Sequence, residues 1–216
     1  RMTYSVVASD AAAGELGVAA ATALPAVGAL VPHVRGGVGA VATQGWATNP
    51  FYGPDGLAAL ARGEAPDAAL AALTAADPGR DHRQAIMIDA RGRTAGWTGA
   101  ENVREMAHLM AADIAVAGNM LRDATALDAM LGAFAAAAGA PLAERLMAAL
   151  RAAEAAGGDR RGTCSAALLV ESGRGYPDID LRVDHHARPL GELARLLVLR
   201  RELGLADFLE RLPRRR

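Results

Sequence analysis

The sequence predicts an α+β fold, a four-layer αββα sandwich, on three observations. Short apolar runs of β type come in groups, helical periodicities come in pairs between those groups, and no stretch rich in proline, glycine or serine divides the 216 residues. Helix pairs between strand groups argue against regular βαβ alternation and for antiparallel sheets lying between helical layers. A single domain over residues 1–216 is expected, with residues 190–216 as a C-terminal helical tail.

The first strands are read at Thr3–Ala8, at Leu16–Thr22 beyond an Asp10-to-Gly14 turn, and at Val38–Gln44 after Gly36-Gly37. Helices are expected over Gly56–Arg62 and Pro66–Ala75, where Leu57, Leu60, Leu70 and Leu73 recur at helical spacing and Pro66 suits a first turn. Strands Gln84–Asp89, Thr94–Thr98 and Asp113–Ala117 follow. Helices Thr125–Ala138 and Pro141–Ala156 come next, the second with Leu142, Leu146 and Leu150 on one face. Strands Cys164–Glu171 and Asp178–Val183 complete the sheets, and Leu190–Leu203 reads as a last helix with Leu193, Leu196, Leu197 and Leu203 turned inward.

Composition removes several classes of chemistry. Every basic residue is arginine, so no lysine Schiff base, phosphate-loop lysine or serine–lysine dyad is available. A net charge of −1, with basic residues scattered apart from Pro213-Arg214-Arg215-Arg216, disfavours nucleic acid as a partner. The one cysteine, Cys164, cannot form an intramolecular disulfide. No apolar run approaches the roughly 20 residues of a membrane span, so a soluble, cytoplasmic protein is expected, with no membrane partner. Apolar helical faces, among them Leu203 to Leu209, lead us to expect a homo-oligomer, and no cofactor is expected.

Five polar segments interrupt the apolar background. Thr3 opens the first strand. Removal of Arg1 and Met2 would leave it with a hydroxyl and a free α-amine, whose unperturbed pKa of about 8 suits it to take the hydroxyl proton. The segment Thr43-Gln44-Gly45-Trp46-Ala47-Thr48-Asn49 ends a strand, where amides and hydroxyls border a site or simply form an Asn-Pro turn with Asn49. Asn119 closes another strand behind Gly118, either as an oxyanion donor or as a left-handed turn residue. The run from Gly157 to Val170 holds Asp159, Arg161, Cys164 and Ser165, which would bind an anionic group or form an ion-pair lattice; Asp180 and Arg182 share a strand face that could answer it. Asp184-His185-His186 invites a metal reading, but adjacent histidines on a strand point to opposite faces, so no metal site is predicted.

The stretches Thr3 to Ala8, Gly14 to Ala19, Ala26 to Pro32, Gly37 to Gln44, Asp77 to Arg80, Gly157 to Leu169 and Asp180 to Asp184 resemble a bacterial family known as domain of unknown function 1028 (DUF1028), which is grouped with the amino-terminal-nucleophile (Ntn) hydrolases. The resemblance runs almost end to end. It implies an Ntn-hydrolase-like αββα sandwich with Thr3 as nucleophile, cleaving a C–N bond of a small amide, cyclic imide or ureide. Asn119 would then steady the oxyanion, and Gln44 and Asp159 would orient the amine. Arg161, Trp46, Asn49 and Ser165 would line the small-molecule substrate. A binding or scaffold protein without catalysis is the alternative on the same fold.

Overall fold

The computed structural model describes residues 3–103, 105–123, 125–158 and 161–213. The strands run β1 Thr3–Asp10, β2 Glu15–Thr22, β3 Pro32–Arg35, β4 Gly39–Gly45, β5 Arg83–Asp89, β6 Thr94–Thr98, β7 Ala107–Ala111, β8 Ile114–Asn119, β9 Ser165–Glu171 and β10 Ile179–Val183. The helices are α1 Tyr52–Ala61, α2 Pro66–Ala76, α3 Thr125–Ala136, α4 Leu142–Ala155, α5 Pro189–Glu202 and α6 Leu205–Glu210. Two sheets form, a six-stranded one in the order β10-β9-β2-β1-β8-β7 and a four-stranded one in the order β3-β4-β5-β6. Every pairing is antiparallel.

Alternation along the strands decides which face each residue serves. In β1, Tyr4, Val6 and Ala8 bury against Leu127, Met130 and Phe134 of α3 and Leu142, Leu146 and Leu150 of α4. Val7 belongs to the opposite face, where it meets Ala40, Ala42, Ile86 and Ile88 of the second sheet. The outer face of that second sheet presents Val41 and Met87 to Leu57, Leu60 and Ala69 of α1 and α2. The two sheets thus lie face to face, with a helix pair covering each outer side. By the same parity Thr3 shares the inward face with Val7, and Gln44 and Gln84 share it with Ala42 and Ile86.

At the end of the sheets remote from Thr3, the β3–β4 turn touches the β9–β10 connection. Gly36 N donates to Glu171 Oε2 at 2.8 Å. A Cβ on Gly36 would stand 2.1 Å from the backbone nitrogen of Gly173, so glycine is required there for backbone to meet backbone.

Several sequence expectations change. The short strands β3 and β7 were not anticipated; each lies at the edge of its sheet and is only half covered. β8 continues past Ala117 to Asn119. Leu203 does not turn inward but is 75% exposed at the end of α5, while Leu193 is fully buried. The paired histidines do not lie on a strand: β10 stops at Val183, and His185 and His186 occupy the bend after it. Arg182 pairs with its own neighbour Asp184 at 3.3 Å, and Asp159 lies outside the described residues. No helix among the described residues is long and apolar enough to cross a membrane.

Candidate functional site

β1 is flanked by β2 and β8, and Thr3 opens it opposite Thr22 on one side and Asn119 on the other. This placement buries Thr3 to 7% exposure at the end of the space between the sheets. Its hydroxyl donates to Thr22 Oγ1 at 3.2 Å. Both threonines line a cavity of about 150 Å³ with Gln44, and the rest of its wall is largely apolar, including Leu24, Val27, Leu30 and Trp46. Leu30 and Trp46 are about half exposed, so they form the rim.

Behind the cavity runs a buried amide network centred on Gln84. Its Nε2 donates to the Gly118 carbonyl at 2.9 Å, to the Ala107 carbonyl at 3.0 Å and to Thr98 Oγ1 at 3.0 Å. Its Oε1 accepts from Gln44 Nε2 at 2.7 Å and from Asn119 Nδ2 at 3.0 Å. Gln44 Nε2 also donates to the Thr3 carbonyl at 3.2 Å. Backbone carbonyls can only accept, so they fix the amide of Gln84, and Gln84 in turn fixes those of Gln44 and Asn119. Chemically, the site offers a hydroxyl at the floor of an apolar cavity, with amide groups held at fixed angles around it.

A family model described as "Family of unknown function (DUF1028)" matches residues 3–193. The chain belongs to this family. Its match begins at Thr3. Protein SPO2555 from Silicibacter pomeroyi, known from a crystal structure described with the same family, is 36% identical, with a TM-score of 0.92. The similarity covers 99% of this chain and 96% of that one. No curated protein matches.

Of the expected site residues of this DUF1028 chain, Thr3, Gln44 and Trp46 line the cavity. Asn119 stands opposite Thr3 in register and commits one amide proton to Gln84. Ser165 takes a different position: its hydroxyl donates to the Leu24 carbonyl at 2.6 Å and accepts from Val27 N at 3.1 Å, so it holds the cavity wall from behind. Arg161 is exposed and is not among the lining residues. Asp159 falls outside the described residues. Among the described residues no three His, Cys, Asp or Glu side chains converge on a possible metal position. The ring of His186 instead accepts from Arg188 N at 3.0 Å.

Asn49 faces away from the cavity, into a cluster around Asp77. That carboxylate accepts from Asn49 Nδ2 at 3.0 Å, Tyr52 OH at 3.0 Å, Gly79 N at 2.8 Å and Arg83 Nε at 3.0 Å. The Arg83 guanidinium, aided by Asn49, Gly79 and Tyr52, holds the Asp77 carboxyl well below the usual carboxylate range against the opposing effect of burial. Burial, then the bond to Asp77, pushes the Tyr52 hydroxyl up. The stabilisation from a depressed carboxyl is complete above its unfolded pKa of about 3.9 and is lost as pH falls towards the folded value. Asp77→Asn is therefore expected to cost about 2 kcal/mol at neutral pH. The gap in melting temperature between variant and wild type should narrow as pH is lowered from about 5 to 3.

Two supporting residues were missed from sequence. In the sequence Gln84 is only a strand start, although two glutamines on apolar strands are a signal once β4 and β5 are paired, since Gln44 and Gln84 face each other in register. Asn102 accepts from Trp46 N at 2.8 Å and so sets the cavity rim; nothing in the sequence singles it out. The wall also includes Ala26, in the left-handed region at φ 58° and ψ 42°. An alanine there costs about 1–2 kcal/mol, offset in a glycine variant by extra unfolded-state entropy. Ala26→Gly should leave the fold intact and raise the urea midpoint by an amount equivalent to about 0.5–1 kcal/mol.

Proposed function

We propose that this DUF1028 protein is an amidohydrolase of the Ntn type, on a four-layer αββα frame, that cleaves a C–N bond of a small amide, cyclic imide or ureide. The observation that carries the reading is the position of Thr3. It is the first residue of a strand flanked on both sides, its hydroxyl faces the space between the sheets, and it forms the floor of a cavity. After loss of Arg1 and Met2, the α-amine takes the Thr3 hydroxyl proton while Oγ1 attacks the carbonyl carbon. The C–N bond breaks as the proton passes to the leaving nitrogen. Water then hydrolyses the threonyl ester and restores the hydroxyl. The free proton of Asn119 Nδ2 is a candidate oxyanion donor, and Gln44 fixes the carbonyl of the nucleophile itself. The reaction needs no cofactor; we assign it to the cytoplasm, in a homo-oligomer with a small-molecule substrate.

A second reading rests on the amide network. Gln84, Asn119, Ser165 and Asn49 all spend hydrogen bonds on holding strands and loops, as a binding or scaffold protein would require. Intact mass and amino-terminal sequencing of the protein made without a leading tag separate the two. A chain that starts at Thr3 and turns over amides supports the hydrolase. A chain that keeps residues ahead of Thr3 has a peptide nitrogen that cannot act as base, and the scaffold reading takes its place.

A further inference from the structure

The cavity beside Thr3 makes two demands on a ligand. The first is charge. Its described lining contains no Asp, Glu, Arg or His, and Leu24, Val27, Leu30 and Trp46 supply most of its apolar wall. A carboxylate, phosphate or ammonium entering there would give up hydration and meet no charged side chain, and above about pH 8, where the Thr3 α-amine is neutral, an anion meets no counter-charge at all.

The second demand is a hydrogen-bond donor. The Gly118 and Ala107 carbonyls orient Gln84, which presents Oε1 to Gln44. Gln44 must answer with its NH₂, shared with the Thr3 carbonyl, and its own Oε1 is turned away from both. That oxygen is buried and has no hydrogen-bond partner, on a residue only 2% exposed that lines the cavity. A buried acceptor in this state favours any ligand that brings it an N–H.

We infer that the Thr3 cavity selects a compact uncharged carboxamide, with its N–H donated to Gln44 Oε1 and a branched or cyclic apolar group against Leu24, Val27, Leu30 and Trp46. This rests on the hydrolase reading for its chemistry, since the N–H belongs to the amide that Thr3 would attack, but its binding prediction stands apart from turnover. The volume of about 150 Å³ is well under the roughly 300–1,000 Å³ of drug-sized sites, so a side group of a few carbon atoms fills it.

The test compares three ligands of similar shape on the purified Thr3→Ala protein, where turnover is blocked. Isovaleramide carries the N–H, N,N-dimethylisovaleramide lacks it, and isovalerate replaces it with a charge. At about pH 9.5, where the α-amine of residue 3 is neutral, titrations followed by protein methyl NMR shifts should show isovaleramide binding at least about tenfold tighter than either other ligand. Equal or tighter binding of isovalerate or of the dimethyl amide overturns the inference, as does failure of all three to bind. If the preference holds but the wild-type chain beginning at Thr3 hydrolyses no amide, the hydrolase reading falls and the ligand class stands. If charged and uncharged amides are hydrolysed alike, the nucleophile stands and the ligand class falls.

Discussion

Thr3→Ala is expected to lower amide hydrolysis by at least about 10³-fold, because the step that forms the threonyl ester then has no attacking oxygen. Thr3→Ser keeps the hydroxyl and should retain measurable activity. The two variants separate chemistry from structure. The Thr3 hydroxyl makes one buried hydrogen bond, to Thr22, so alanine should cost no more than about 1 kcal/mol of stability. A Thr3→Ala protein that melts close to wild type and is inactive, beside an active Thr3→Ser protein, is the expected pair of results. Full activity in Thr3→Ala would remove Thr3 from the mechanism. The acidic limb of kcat/KM should follow the α-amine, with activity falling below about pH 8 as that base is protonated.

Gln84→Leu should be the most destabilising single substitution near the site, at about 4 kcal/mol. The loss leaves the buried Gly118 carbonyl and Asn119 amide and the partly buried Ala107 carbonyl without the partner that Gln84 supplies. At about 1–3 kcal/mol per unsatisfied group, that is a large part of the 5–15 kcal/mol that a domain commands. Chemical denaturation measures it directly. Gln84→Glu gives an independent check with a definite sign. A carboxylate there would face two carbonyl oxygens, so its folded pKa is raised. Its penalty should be small below about pH 4 and grow as pH rises above the unfolded glutamate value.

Much of the sheet framework was legible because its inner strands are buried on both faces and therefore read as dense apolar runs, as in Tyr4 to Ala8 and Ala85 to Ile88. The edge strands escaped for the opposite reason. β3 begins with proline and carries His33 and Arg35, and β7 leaves Met110 in solvent, so neither shows a clear burial pattern. Thr3, Gln44 and Trp46 could be picked out since each ends or opens an apolar strand. Asn49 and Ser165 have similar chemistry near strand ends, and the family resemblance implies a substrate-lining role for them too. Only three-dimensional packing reveals that Asp77 and the Leu24 carbonyl claim them. The importance of Gln84 depends on carbonyls from β7 and β8, which lie 23 and 34 residues further along the chain.

The close approach of Gly36 to Gly173 acquires a mechanical meaning beside the Gln84 network. One fastens the sheets at the end remote from Thr3, and the other ties β5 to β7 and β8 at the near end. Two layers pinned at a single end can swing like a hinge, and two layers joined only by apolar contact can shear. Pinned at both ends, they do neither easily. Adjustment to a ligand is then expected from the connection between β2 and β3, which carries Leu24, Ala26 and Leu30, and from the one after β4, which carries Trp46, rather than from a change in spacing between Thr3 and Gln44.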